Sequence, residues 1–168
     1  MTNLDIAENF FENPNGYFNR KSMNVSYDNK VFYSYSTPIA RIAKDINGND
    51  VLLVSNNNLS MTTSKHIGRL LGANCRYKNL KVYRLPQQIR GWAFNNWDVF
   101  NKIERMLKYL KDSNLRQKPN REAFEHTYRM LESLLCLEDF KEFASKIKTL
   151  LTNYKDTFEH IVNYKRGK

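Results

Sequence analysis

Acidic residues are missing from a long central stretch of this chain. Between Val51 and Trp97 there is no Asp or Glu, whereas Lys and Arg recur throughout the stretch. Carboxylates are common on protein surfaces, so their absence here indicates a face that meets a negatively charged partner. The formal net charge of +10 agrees with this interpretation. The partner we expect is nucleic acid, or a host nucleoprotein complex.

Cysteine and histidine are also scarce. The two cysteines, Cys75 and Cys136, form no Cys-x-x-Cys pair, which predicts free thiols in a reducing cytoplasm. The three histidines, His66, His126 and His160, have none of the spacings typical of zinc ligands. We therefore expect a cytoplasmic protein with no metal and no cofactor.

Long apolar runs and catalytic motifs are lacking as well. No run of consecutive apolar residues is longer than that of Val51–Val54, far below the roughly 18 residues that a membrane span needs. No nucleophile elbow, phosphate-loop lysine motif, dinucleotide-binding glycine motif or zinc-protease motif occurs. A metal-dependent nuclease needs clustered carboxylates, which the acid-free stretch does not supply. The sequence predicts a protein that is neither an enzyme nor membrane-bound.

A basic, β-rich domain is predicted over residues 1–90. Apolar residues at helical spacing follow Thr2 or Asn3 as cap and predict a short helix that residues 13–16 end. Residues 17–29 have no clear period and are left as strand or loop.

A β-hairpin is predicted over residues 30–55. Lys30–Ala43 is rich in alternating aromatic and β-branched residues, which predicts one strand with Pro38 at a sheet edge or bulge. The Asn47-Gly48 turn and the apolar Val51–Val54 complete the hairpin.

A short helix and a further strand follow the hairpin. Thr62, Thr63 and Ser64 precede apolar positions, and Gly72 occupies a C-terminal cap position, so the pattern predicts a helix of about two turns. Alternation over Arg76–Leu85 then predicts a return to the sheet.

A helical domain is predicted over residues 91–168. Three apolar stripes at helical spacing, the last with a break at Asn153, pack most simply as an antiparallel bundle. Trp92 and Trp97 at the boundary are expected to be buried where the halves join, or to anchor a protein partner. The predicted class is α+β: an N-terminal β-hairpin or small antiparallel sheet with short helices, followed by an antiparallel three-helix bundle.

The predicted helix start is the first candidate binding site. A helix N-terminus carries partial positive charge and unpaired amide hydrogens, and hydroxyls and cations beside it attract phosphate. Alternatively, the hydroxyls only cap the helix while the cations remain solvated. The residues concerned are Thr62, Thr63, Ser64, Lys65, His66 and Arg69.

The following strand is the second candidate. Its rings can stack on unpaired bases and its cations can contact phosphates, although edge strands also carry such charges to prevent aggregation. The residues concerned are Arg76, Tyr77, Lys78, Lys81, Tyr83 and Arg84.

Two short motifs carry a family resemblance. Tyr33–Ala40 (YSYSTPIA) and Thr62–Ile67 (TTSKHI) resemble a module of tailed-phage proteins of unknown function. In that module a tyrosine-rich strand precedes a helix start by about two dozen residues. The resemblance covers residues 28–73 and implies a phage or prophage origin, hence the cytoplasm of a host cell, without defining an activity.

Three functions are compatible with these features. The first is a non-enzymatic phage accessory protein that binds nucleic acid. The second is an anti-defence inhibitor of the anti-CRISPR type, which grips a host nuclease effector complex, and the third is a virion or assembly component. The sequence leaves the oligomeric state and the type of nucleic acid open.

Overall fold

The computed structural model describes residues 1–20, 23–56, 60–86 and 95–167. Two compact units are present, Met1–Asn95 and Asn96–Lys168. The first contains a six-stranded sheet with helices, and the second contains helices that pack on one another. The predicted α+β class is therefore confirmed.

The sheet of the first unit is mixed. Its strands lie side by side in chain order, and all neighbours are antiparallel except the last two, which are parallel and joined by a helix. The carboxyl ends of those two strands therefore lie at the same edge of the sheet. The elements are α1 (Asn3–Glu12), β1 (Tyr17–Phe18), β2 (Val25–Asp28), β3 (Val31–Ser34), β4 (Thr37–Lys44), β5 (Asp50–Ser55), α2 (Met61–Tyr77) and β6 (Lys81–Leu85).

Helix α1 confirms the predicted N-terminal helix. Thr2 Oγ1 accepts a hydrogen bond from the Asp5 amide, and the Asp5 carboxylate accepts one from the Thr2 amide. The helix ends at Asn13, as the turn residues indicate. Its apolar side supplies the core, where the Phe10 ring meets Tyr27 and Phe32 at centroid distances of 5.6 and 5.4 Å.

The prediction of one strand over Lys30–Ala43 is wrong. The chain reverses at Tyr35 and Ser36, so that β3 pairs with β4 and Ser34 lies opposite Thr37. The alternating pattern gave no sign of this turn, because tyrosine is not a usual turn residue. Tyr35 nevertheless adopts a left-handed φ of 54°. Pro38 lies opposite Tyr33 at a register shift, so the predicted bulge is confirmed.

The β4–β5 hairpin is confirmed. One carboxylate oxygen of Asp45 accepts the amides of Asn47 and Asn49, and Gly48 takes a φ of 84° that suits glycine. These bonds lower the pKa of Asp45, led by those from Asn49.

Helix α2 is longer than predicted. It is capped by Ser60 and continues past Gly72 to Tyr77, so Arg76–Tyr77 is helical and Lys78 is the C-cap. The predicted strand Arg76–Leu85 therefore begins late, at Lys81. A glycine within a helix costs about 1 kcal/mol, whereas burying one large apolar side chain yields about 1.5–3 kcal/mol.

Burial of its side chains explains why α2 continues past Gly72. Leu70 and Ala73 are completely buried on either side of Gly72, which makes the helical conformation favourable across the glycine. The end is set by Asn74, whose side-chain amide donates to the Leu80 carbonyl at 2.9 Å and whose oxygen accepts the Leu80 amide at 3.0 Å.

The second unit contains the predicted helices. Helix α3 packs on α4, and α4 packs on α5. Tyr128 and Phe158 stack at 4.2 Å, and the Tyr128 hydroxyl donates to the Leu151 carbonyl, so α5 runs through Asn153 without the predicted break. The bounds are α3 (Asn96–Asp112), α4 (Lys118–Leu134), a 3₁₀ turn (Glu138–Phe143) and α5 (Ala144–Arg166).

The predictions for Trp92 and Trp97, the two tryptophans at the predicted domain boundary, have different outcomes. Trp97 was expected to be buried but is 48% exposed, because it precedes the first buried turn of α3; its ring lies 6.3 Å from that of Phe100 and 5.7 Å from that of Phe143. Trp92 lies outside the described residues. Among the helices that the structure describes, none has the length and apolar character to cross a membrane.

Candidate functional site

Helix α2 presents a cationic face to solvent. Lys65 and Arg69 lie one turn apart on the exposed side, with Ser64 and Gly68 beside them. Ile67 and Leu70 turn the opposite side into the core. Within the described ranges, no carboxylate forms an ion pair with Lys65 or Arg69. Their charge is thus available to a ligand.

A cleft of about 290 Å³ opens beside this face. A Cβ atom built on Gly68 would meet no atom within 4 Å, so the missing side chain leaves the space open. Arg84 from β6 is exposed and lines the cleft opposite the helix. The described residues that line it are Ser55, Asn56, Ser64, Ile67, Gly68, Leu71 and Arg84.

The position of the cleft is favourable for an anion. It lies where the parallel strands β5 and β6 end and where α2 begins, which is the edge of α/β sheets at which ligands commonly bind. The start of α2 adds partial positive charge, and no carboxylate is among the lining residues that the structure describes. Ser64, Lys65, Gly68, Arg69 and Arg84 are hereafter called the cationic face.

Two of the predicted ligand residues are engaged inside the protein. Thr63 and His66 are buried, and both bond to the buried Ser34 of β3. The Ser34 hydroxyl donates to Thr63 Oγ1 at 3.1 Å and lies 2.8 Å from His66 Nδ1. Thr63 Oγ1 also lies 3.0 Å from the hydroxyl of Ser60. These residues fasten α2 to the sheet and offer nothing to a phosphate.

His66 is held as a neutral ring. The Asn3 side-chain amide donates to His66 Nε2 at 3.3 Å, which places the ring proton on Nδ1, facing Ser34. A second proton on Nε2 would point at the Asn3 donor. Burial, and then the nearby charge of Arg69, lower the pKa of His66 below its ordinary value.

Arg76 and Tyr77 meet a carboxylate from another element. Arg76 forms an ion pair of 2.9 Å with Glu8 of α1, and a hydrogen bond to Glu8 raises the pKa of Tyr77. The stretch from Val51 to Trp97 contains no acidic residue, but part of its positive charge is neutralised by a carboxylate that lies close in space. Thr62 remains exposed at the first turn of α2, and Lys78 is exposed at its opposite end.

The strand β6 divides the remaining candidates. Tyr83 is only 8% exposed, so its ring cannot stack on a base, and the Lys81 ammonium lies 5.1 Å from the centre of that ring. Arg84 projects from the other side of β6 into the cleft. The structure thus brings Arg84 close to the residues of α2 that line the cleft, and it keeps Tyr83 apart from them.

A second groove was missed by the sequence prediction. It has a volume of about 370 Å³ and lies over β1, β2 and β3. Four tyrosines are among its lining residues, namely Tyr17, Tyr33, Tyr35 and the buried Tyr27. The tyrosine-rich motif Tyr33–Ala40 was the signal, but the prediction of a single strand over Lys30–Ala43 does not lead to a groove there.

No cluster of three His, Cys, Asp or Glu side chains that could hold a metal ion occurs in the described part of the chain. Cys75 and Cys136 are free thiols, in different units.

Comparison with known proteins bears on the first unit. Residues 7–84 match the model of a family of unknown function, DUF8033. The matched range contains the cationic face and the tyrosine groove, and it stops before the helical unit begins at Asn96. No curated protein and no solved structure matches the chain.

Proposed function

We propose that this chain is a non-enzymatic protein that binds nucleic acid through the cationic face. The observation that carries the proposal is a cleft lined by Arg84, beside a helix on which Lys65 and Arg69 are exposed, none of the three having an ion pair to a carboxylate in the described residues. In contrast, Arg76 on the same helix is paired with Glu8. Arg76 is therefore neutralised, whereas Lys65 and Arg69 near the start of α2 are not, within the described residues.

The chemistry of this face suits a phosphate backbone. The Ser64 hydroxyl can donate to one phosphate, while Lys65 and Arg69 along the helix reach its neighbours. Gly68 lets a backbone approach closely because it presents no side chain. Such contacts position a nucleic acid without distinguishing its sequence.

Salt dependence is the direct test. If three phosphates are neutralised, log K should fall with log salt at a slope of about −2.7 on duplex DNA. Fluorescence anisotropy between about 50 and 200 mM salt measures this slope. A flat profile, or no binding at low salt, would contradict the proposal.

A double variant locates the site. Lys65→Ala with Arg69→Ala should weaken binding about tenfold or more and flatten the salt slope by about 2, because two phosphate contacts are lost. The matched control is Lys108→Ala with Lys148→Ala, which removes the same charge from exposed positions in the helical unit. Equal losses in both pairs would show that only net charge matters.

We place this activity in a phage or prophage accessory protein that works in the host cytoplasm. The support is the resemblance of residues 28–73 to tailed-phage proteins. The alternative of a virion component predicts that mass spectrometry finds the chain in purified particles.

The anti-defence alternative has one observation in its favour. Trp97 is half exposed, with the Lys146 ammonium 4.7 Å from its ring centre, which is a suitable anchor for a protein partner. On this alternative, a host nuclease complex is retained on the protein after nuclease digestion, and Trp97→Ala releases it. Loss of every partner on digestion would leave nucleic acid as the ligand.

A further inference from the structure

The tyrosine groove lies on the outer face of the first three strands. Tyr17 pairs with Asp28 and Ser26 pairs with Tyr33, and directly paired residues share a face, so these four side chains stand together. The opposite face carries the buried Tyr27 and packs against α1. Tyr17 is 69% exposed, which is unusual for a large ring.

Tyr35 stands at the rim of this groove in a strained conformation. Its φ of 54° is one that glycine or asparagine adopts more readily in a turn. The ring is nevertheless 55% exposed, so packing accounts for only part of its presence. Strained, exposed residues of this kind are concentrated where a ligand is held.

Tyr35 also connects the groove with α2. Its ring centre lies 5.9 Å from that of His66. His66 is flanked along the helix by Lys65, and Arg69 follows within a turn. Tyr35, at the rim of the groove, therefore lies close to the helix that carries the cations, although His66 itself is buried.

We propose that the ligand of this surface is a single-stranded nucleic acid. The bases stack on Tyr35 and Tyr17, and the backbone follows Lys65 and Arg69. This inference rests on the proposed function and names its ligand class. A duplex hides the faces of its bases, whereas unpaired bases are free to stack on aromatic rings.

The charge distribution fits this division of roles. Asp28 lines the groove, where a carboxylate repels phosphate but can accept hydrogen bonds from the amino groups of bases. The cations lie on α2 instead, where the backbone is placed. Ser26, Ser36 and Asn19 add neutral hydrogen-bonding groups to the groove.

The test compares a single strand of about ten nucleotides with the matching duplex at one salt concentration. The wild-type protein should bind the single strand at least about tenfold more tightly. Tyr35→Gly should reduce that affinity about tenfold and leave duplex affinity unchanged, since it removes the ring and suits the backbone. Tyr17→Ala should act in the same direction, and Tyr109→Ala, an exposed tyrosine of the helical unit, is the control.

The outcomes separate the two proposals. Equal affinity for both forms, with Lys65→Ala and Arg69→Ala weakening each, overturns the stacking inference and retains the cationic face. Failure of the wild-type protein to bind either form overturns the proposed function itself. Unfolding curves for Tyr35→Gly show whether the variant is folded.

Photo-crosslinking gives an independent readout. A strand that carries bromouracil should crosslink to Tyr17 or Tyr35, as located by mass spectrometry of the digested protein. Crosslinks confined to the Lys65–Arg69 segment would overturn the stacking inference.

Discussion

At the scale of single residues, His66 is the clearest case of a side chain whose role follows from its surroundings. Its Nδ1 faces Ser34 and its Nε2 accepts from Asn3, so the ring is matched to its neutral form. Arg69 nearby adds repulsion against a second charge. The buried histidine therefore connects α1, β3 and α2 as long as it stays neutral.

Stability should consequently depend on pH. The pKa of His66 is lowered below 6.5 in the folded protein, so between the two values the unfolded chain binds more protons. The free energy of unfolding is expected to fall as pH is lowered from 6.5 towards about 5, above the range in which carboxylates titrate. Urea unfolding of the wild type and of His66→Gln, which removes the titration, measures this. A slope that persists in His66→Gln would be contrary evidence, and exposed His160→Gln is the control.

Ser34 should be sensitive to substitution. Ser34→Ala leaves the buried Nδ1 proton of His66 without an acceptor and Thr63 Oγ1 without one donor, at a cost of about 1–3 kcal/mol. Ser36→Ala, at an exposed turn position, should change the free energy of unfolding by less than about 0.5 kcal/mol. Similar losses in both variants would argue against the buried network.

At the scale of elements, α2 shows how burial overrides a local stop signal. Gly72 has the position of a C-terminal cap in the sequence, and the same logic correctly predicted a cap at Thr2 or Asn3 and a stop of α1 at residues 13–16. The difference is that Leu70 and Ala73 pack into the core on both sides of Gly72. Local chemistry decides a helix end only where no tertiary burial continues beyond it.

The glycines of α2 can be tested directly. Gly68 and Gly72 both have open space where a Cβ would stand, so alanine should stabilise the helix by about 0.5–1 kcal/mol at either position. Chemical denaturation measures the gain. Destabilisation by Gly72→Ala would show that the space is occupied. Gly68→Ala additionally projects into the cleft beside Arg84 and should weaken nucleic-acid binding, whereas Gly72→Ala should not.

The two β-hairpins show the same difference between elements that local sequence specifies and elements that tertiary contacts specify. The β4–β5 hairpin was predictable because Asn47-Gly48 and Asp45 specify the turn from adjacent residues. The β3–β4 turn was missed because Tyr35 has no turn preference and is held there by pairing of the strands around it. A functional demand on the exposed ring is consistent with such a local mismatch.

At the scale of the whole molecule, the two units divide the charge into different patterns. The helical unit pairs many of its charges, as in Lys165 with Glu125 and Lys155 with Glu159. The hydrogen bond from Lys165 is the main cause of a lowered pKa at Glu125. The first unit instead leaves Lys65 and Arg69 of α2 without an ion pair among the described residues, and it is this unit that the family model matches.

The first unit should therefore carry the binding. A fragment of residues 1–95 contains the sheet, α1, α2 and one contiguous apolar core, so we expect it to retain affinity for nucleic acid within about threefold of the full chain. Circular dichroism establishes that the fragment is folded, and anisotropy measures binding. A folded fragment that has lost binding would assign the helical unit a direct part.

The sequence by itself determined the class of the fold, the three apolar stripes of the helical unit, the first helix and the β4–β5 hairpin. These depend on residues within a few positions of one another, so spacing and turn chemistry suffice to specify them. Only the tertiary structure decided which cations are free, because Arg76 is neutralised by Glu8 of a distant segment. It likewise decided that His66 is buried while Tyr35 is presented to solvent. Ion pairing and burial depend on distances in space, which the order of residues along the chain does not contain.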